Sequence, residues 1–210
     1  MVTSILMKRS EPDTLSRAEA VFREHGGTMR TRDVLASGVH PRTLYWMRDN
    51  AVIEELSRGL FHLASQDLPQ SPDIVTVAHR VPAGVIALLS ALDLHGLTTQ
   101  IPGAVWVALP RDVKTPRVVY PPMRVVHLSA RSLHAGVQER VIGATAIKVF
   151  SAGKTVADCF KFRSLVGLDV AVEALREALR ARATTPAEVM EYARVDRVSA
   201  VIRPYLEAMQ

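Results

Sequence analysis

The sequence predicts an α+β chain, with an N-terminal winged helix-turn-helix followed by a mixed α+β domain that ends in a helical C-terminal tail. Three observations predict it. Three short helical segments precede two β-type runs joined at Ser57-Arg58-Gly59. A polar stretch with two prolines, "SQDLPQSPD" at residues 65–73, then interrupts the apolar pattern. Beyond it, helical, strand-like and again helical patterns follow one another.

The first helical segments cover residues 14–25, 31–37 and 41–49, separated by "GGT" and "SGVHP". Glycines end helices, Pro41 can start one, and Gly38 takes the positive φ that a tight helix-helix turn requires. "AVIEELSRGLFHL" then supplies the two runs of a hairpin. On the third helix Leu44 and Met47 are three residues apart and point inward, so the same wheel turns Arg42, Tyr45 and Trp46 outward. In a helix-turn-helix this outward face enters the major groove, where an arginine bonds guanine and an aromatic ring packs on sugar or a thymine methyl. The competing arrangement packs Trp46 under the hairpin. Arg30 and Arg32 flank the start of the second helix, where basic side chains and amides hold phosphates, and Arg58 sits at the wing tip. The DNA-facing set is therefore Arg30, Arg32, His40, Arg42, Thr43, Tyr45, Trp46 and Arg58, on a domain expected over residues 1–66. That segment carries nine basic and eight acidic side chains. So small an excess predicts weak binding by one copy, and hence a dimer on DNA or help from another basic region.

The second domain is expected over residues 71–210. "PDIVTVAHR" and "AGVIALLSALDLHG" read as helices, and "AVWVALP", "RVVYP", "RVVHLS" and "TAIKVF" read as strands. "DVAVEALREALRARA", "PAEVMEYARV" and "DRVSAVIRPYLEAM" form the helical tail, and no internal repeat is visible.

Composition removes several classes of function. With 48% hydrophobic and 22% charged residues the chain has the makeup of a packed globular protein. A net charge of +5 favours polyanionic partners, and residues 71–170 hold eleven basic against six acidic side chains. The single cysteine, Cys159, leaves no disulfide framework and points to a reducing cytoplasm. The start "MVTSILMKRSEP" has its apolar residues before its basic ones, the reverse of a secretion signal, and the longest apolar run is too short for a membrane span. None of the seven histidines has a partner at metal-ligand spacing and no Gly-x-Ser-x-Gly elbow occurs, so neither a metal, a cofactor nor a catalytic centre is expected.

"SAGKTVADCF" at residues 151–160 contains Gly153-Lys154-Thr155, the end of many phosphate-binding loops. Such a loop needs a glycine five residues before Gly153, and that position is Lys148. The tripeptide is instead expected in the first turn of a helix capped by Ser151, with Val156, Cys159 and Phe160 on a buried face and Cys159 a structural thiol. A cation in a first turn runs against the helix dipole, and Lys154 is expected as a solvated surface lysine.

The chain resembles the AbiEi antitoxins of bacterial abortive-infection, or type IV toxin-antitoxin, systems. The resemblance rests on "SGVHPRTLYWMRDNAVIEELSRGLFHL", on "SALDLHGLTTQIPGAVWVALP" and on "IKVFSAGKTVADCFKFRSLVGLDVAVEALREAL". A strand followed by Ser-x-x-Lys-Thr-x-x-Asp-Cys-Phe with an arginine three residues later is its more specific part. The resemblance implies a non-enzymatic antitoxin and autorepressor whose first domain binds inverted repeats in its own promoter. It further implies that the second domain counters a nucleotidyltransferase-type toxin, directly or functionally, with Lys154, Thr155, Asp158 and Arg163 as that domain's motif. The alternative is a one-component transcriptional regulator whose second domain binds a small effector in an apolar pocket beside "VIALLSALDLHGL". A nucleotide enzyme ranks last. Promoter DNA and toxin are the partners in the leading reading, and no membrane is involved.

Overall fold

A computed structural model of the chain describes residues 11–143 and 145–209. The opening segment "MVTSILMKRS", read above for targeting, lies outside them. Contacts divide the chain into two compact units, residues 1–79 with 141–145, and residues 80–140 with 146–210. Residues 71–79, grouped by sequence with the second block, thus fall with the first unit.

In the first unit the order is α1 (Glu11–Glu24), β1 (Thr28–Arg30), α2 (Thr31–Ala36), α3 (Pro41–Asp49), β2 (Ile53–Ser57), β3 (Leu60–Leu63) and α4 (Pro72–Arg80). The strands form an antiparallel sheet in the order β1-β3-β2, with Met29 opposite Phe61 and Ile53 opposite Leu63. β1 falls in the break that the sequence reading left between the helical segments 14–25 and 31–37. Its three residues are too few to show alternation, and pairing with β3 creates the strand. Ala18, Phe22, Met29, Val34, Leu44, Met47, Ile53, Phe61 and Leu63 bury together as one core. Gly38, at φ +86°, reverses the chain after α2 while Val39 N–H bonds back to the Val34 carbonyl at 3.3 Å. That is the left-handed exit only glycine makes without strain.

The second unit contains β4 (Val85–Ile86), α5 (Leu88–Leu94), β5 (Val105–Pro110), β6 (Met123–Leu128), α6 (Ala130–His134), β7 (Val137–Ile142) and β8 (Thr145–Phe150). Its helical layer follows: α7 (Ala152–Lys161), α8 (Arg163–Val166), α9 (Leu168–Arg180), α10 (Pro186–Asp196) and α11 (Ser199–Ala208). The sheet order is β6-β5-β4-β8-β7. β4 takes the middle position, antiparallel to β5 and parallel to β8. The sequence reading made Val85 and Ile86 part of a helix. Two residues cannot display a strand period, and pairing on both sides overrides helical propensity. "RVVYP", read as a strand, instead lies in the connection 111–122, where Pro116, Pro121 and Pro122 cannot donate to a ladder.

α7 carries the centre of this unit, and all nine residues Ala152–Phe160 are buried. Phe150, Phe160 and Leu175 pack in the same core, each contributing roughly 1.5–3 kcal/mol by burial. α9 lays Val170, Ala171, Ala174, Leu175 and Ala178 against it, an i, i+4 stripe. α10 starts at Pro186 behind Thr185, whose hydroxyl accepts the Glu188 N–H at 3.2 Å.

Candidate nucleic-acid interface

α3 begins at Pro41 behind His40, whose Nδ1 accepts the Arg42 N–H at 3.1 Å. This cap fixes the first turn and commits His40 to helix geometry. Leu44 and Met47 are fully buried, and Arg42, Tyr45 and Trp46 are exposed on the opposite side, with Thr43 half-buried between. Trp46 is 49% exposed, so it is not packed under the hairpin. At the far end Asn50 Nδ2 donates to the Trp46 carbonyl at 2.9 Å and closes the last turn. The Arg48 guanidinium lies 5.1 Å from the Tyr45 ring centroid and pairs with Asp49 at 2.7 Å, so it stiffens the ring and cancels the helix's one carboxylate.

Arg58 is exposed in the β2–β3 turn. Glu55 Oε1 accepts the Gly59 N–H there at 2.7 Å, and Thr31 N–H bonds the Gly59 carbonyl at 3.0 Å, tying the turn to the start of α2. Arg32 is exposed and paired with Asp33 at 3.0 Å, whereas Arg30 is half-buried at the α2 N-cap. Arg42 and Arg58 make no ion pair among the described residues. The exposed Glu54 and Glu55 on β2 oppose any anion near the turn, which is the local form of the unit's weak charge.

The motif of the second unit is arranged otherwise. Ser151 Oγ accepts the Lys154 N–H at 3.3 Å, so the tripeptide is indeed the first turn of a helix. Each of its residues has a structural task. A Cβ on Gly153 would lie 2.5 Å from Thr184 Oγ1, so the segment leading into α10 approaches α7 here too closely for any side chain. Thr155 Oγ1 donates to the Phe150 carbonyl at 3.2 Å. Lys154 is not the solvated lysine expected from the sequence: its side chain is 0% exposed, with Nζ 2.5 Å from Asp158 Oδ1 and 3.1 Å from Asp196 Oδ2. Its ammonium also lies 4.5 Å from the Phe150 ring centroid. The helix dipole penalty is outweighed by the pairing with two buried carboxylates, of which Asp158 has no other cation beside it.

Two further residues, Lys161 and Ser132, complete this cluster. Lys161 Nζ lies 2.8 Å from Asp196 Oδ1, and Ser132 Oγ donates to the same oxygen at 2.5 Å. Two lysines and two aspartates leave it neutral. Asp158 Oδ2 accepts no hydrogen bond, and burial pushes the Asp158 carboxyl up to about 7 against the pull of Lys154. Burial also disfavours the ionised form of Asp196, but Lys154, Lys161 and Ser132 outweigh it and hold that carboxyl below its ordinary value. The Lys154, Asp158 and Lys161 spacing of i, i+4, i+7 was readable as one helix face. Ser132 and Asp196 carried no local signal. Arg163 stands apart, exposed on α8, with Nη1 donating to the Phe160 carbonyl at 3.0 Å. Cys159 is buried and its thiol is pushed up by burial, as a structural thiol is.

Among the described residues no group of His, Cys, Asp and Glu has the arrangement of a metal site, and no helix is long and apolar enough to cross a membrane. No curated protein matches the chain. Residues 16–64, which span most of α1, α2, α3 and the three-stranded sheet, match the family described as "Transcriptional regulator, AbiEi antitoxin". Over these residues the N-terminal part of the chain is thus similar to the AbiEi antitoxin transcriptional regulators.

Proposed function

We propose that the chain is the antitoxin and autorepressor of an AbiE-like toxin-antitoxin pair. α1–α3 with β1–β3 act as a winged helix-turn-helix on the chain's own promoter, α3 enters the major groove, and the β2–β3 turn reaches the phosphates through Arg58. The observation that carries this reading is the exposed face of α3: Arg42, unpaired, beside two exposed aromatic rings, on a helix whose other side is locked into the core by Leu44 and Met47. Arg42 supplies base readout, Tyr45 and Trp46 pack on sugars or thymine methyls, and Arg30, Arg32, His40 and Thr43 contact the backbone. The near-neutral charge of residues 1–66 is offset by binding inverted repeats as a dimer.

The second unit counters the nucleotidyltransferase-type toxin, with Lys154, Thr155 and Asp158 holding its helical layer in shape. The support is the antitoxin family of the N-terminal part together with the motif in residues 151–163. A non-enzymatic role in the cytoplasm follows from the same reading.

Titration of the full chain into labelled upstream promoter DNA tests the first half. Wild type is expected to bind with preference over scrambled duplex, and the Arg42→Ala/Trp46→Ala pair to lose that preference. Co-expression with the product of an adjoining nucleotidyltransferase-like reading frame tests the second half: cells survive with the full chain and die without it.

A further inference from the structure

The chain's positive charge is concentrated in the second unit. Residues 94–138 hold Arg111, Lys114, Arg117, Arg124 and Arg131 against the single carboxylate Asp112, a net +4 of the chain's +5. All five are exposed. Elsewhere on the surface Arg17, Arg23, Arg32, Arg48 and Arg180 each pair with a neighbouring carboxylate. Arg111, Lys114 and Arg117 make no ion pair among the described residues.

These three lie in the connection 111–122 between β5 and β6. The two strands are parallel and paired from Val105 with Met123 to Pro110 with Leu128. The connection must therefore return along the whole length of the pair, about 17 Å at ~3.3 Å per residue. It strings its cations along that path. β6 is an edge strand of the sheet, and Arg124 at its start is held with its guanidinium 5.2 Å from the Trp106 ring centroid. Three aromatic side chains are exposed among the described residues: Tyr45 and Trp46 on α3, and Tyr120 in this connection, at 57%. Val119 beside it is 99% exposed.

We propose that the 111–122 connection is a second nucleic-acid contact, one that binds a single strand, with Arg111, Lys114 and Arg117 on successive phosphates and Tyr120 stacked on a base. A basic path with an interleaved exposed ring is the arrangement that binds unpaired strands without sequence preference. A duplex is disfavoured because the connection offers neither a helix nor a two-stranded ribbon to enter a groove, and stacked bases are closed to Tyr120.

The test is fluorescence anisotropy of the full chain with a short mixed-sequence RNA, the same sequence as single-stranded DNA, and its blunt duplex, each at several salt concentrations. Both single strands are expected to bind more tightly than the duplex, and the RNA and DNA arms separate the two sources of such a strand. Arg111→Ala/Lys114→Ala/Arg117→Ala should lower the slope of log affinity against log salt by about 2, at roughly 0.7 per phosphate contact. Tyr120→Ala should weaken single-strand binding roughly 5- to 150-fold and Tyr120→Phe should restore it. These side chains are exposed, so circular dichroism of the variants should match wild type. An unchanged slope in the triple variant, equal binding by Tyr120→Ala and wild type, or tighter binding of the duplex overturns the proposal. Loss of toxin co-purification by the triple variant with oligonucleotide affinity intact would assign the surface to an acidic protein and also overturn it.

Discussion

Replacing Lys154 by Met removes the ammonium and keeps most of the stem's volume, so little of the effect is a cavity. Asp196 retains Lys161 at 2.8 Å and Ser132 at 2.5 Å. The loss therefore falls most on Asp158, whose side chain is 1% exposed and which has no other cation beside it, while Asp196 Oδ2 loses its ion pair at 3.1 Å but Asp196 keeps Lys161. Breaking a buried pair by deleting one partner costs about 3–5 kcal/mol, a large part of the roughly 5–15 kcal/mol that holds a domain together. Lys154→Met/Asp158→Leu removes both charges and should lie well above the single variant. The chain has two tryptophans, Trp46 in the first unit and Trp106, 4% exposed, in the second. In a Trp46→Phe background, Trp106 fluorescence during urea unfolding reports the second unit alone. At pH 8 the wild-type Asp158 is mostly ionised while loss of Lys154 pushes the variant's carboxyl higher still, so the deficit should be largest there; at pH 5 the carboxyl is neutral in both and the deficit should shrink. A loss below about 1 kcal/mol at pH 8, or a double variant less stable than the single one, would refute the argument that Asp158 depends on Lys154.

Asp158 binds its proton more tightly folded than unfolded, so its contribution to stability is fully present below its ordinary value near 4 and is lost as pH rises to about 7. Asp158→Asn should flatten the stability profile of the second unit over that window, measured by urea unfolding at successive pH values. Gly153→Ala puts a methyl 2.5 Å from Thr184 Oγ1 and 3.2 Å from Glu188 Cδ, and should lower stability by about 1–3 kcal/mol in the same assay despite alanine's better helix propensity. Arg42→Ala should weaken promoter binding by about 1–3 kcal/mol and relax preference at one base position in a binding-site selection. Arg58→Ala should weaken all duplexes alike and lower the salt slope by about 0.9, readable in titrations at two salt concentrations.

The α3 face was legible because one helix carries its whole signal: two apolar residues at i, i+3 fix the phase, and Arg42, Tyr45 and Trp46 follow from it. The three helical segments and the hairpin of the first unit were legible for the same local reason. β1 and β4 were not, since strands of three and two residues exist through partners remote in sequence. Lys154 was misread because its surroundings are supplied by other parts of the chain. Helical spacing brings Asp158 beside it, yet nothing near residue 154 announces that Asp196 and Ser132 close over the same point. The excess of cations over residues 71–170 was visible in the counts, but its concentration on one strand connection required the parallel pairing of β5 and β6.

A buried set of two lysines and two aspartates constrains how such a chain can diverge. Changing any one member strands a charge in the core, while exchanging Lys154 and Asp158 together for apolar residues leaves the Asp196–Lys161 pair whole. Lineages descending from this sequence should therefore cross between charged and apolar versions of the site by paired steps, with positions 154 and 158 changing in concert and 161 and 196 as a second, separable couple. A library randomised at those four codons and sorted for folded protein would contain few survivors with an unequal number of cations and anions.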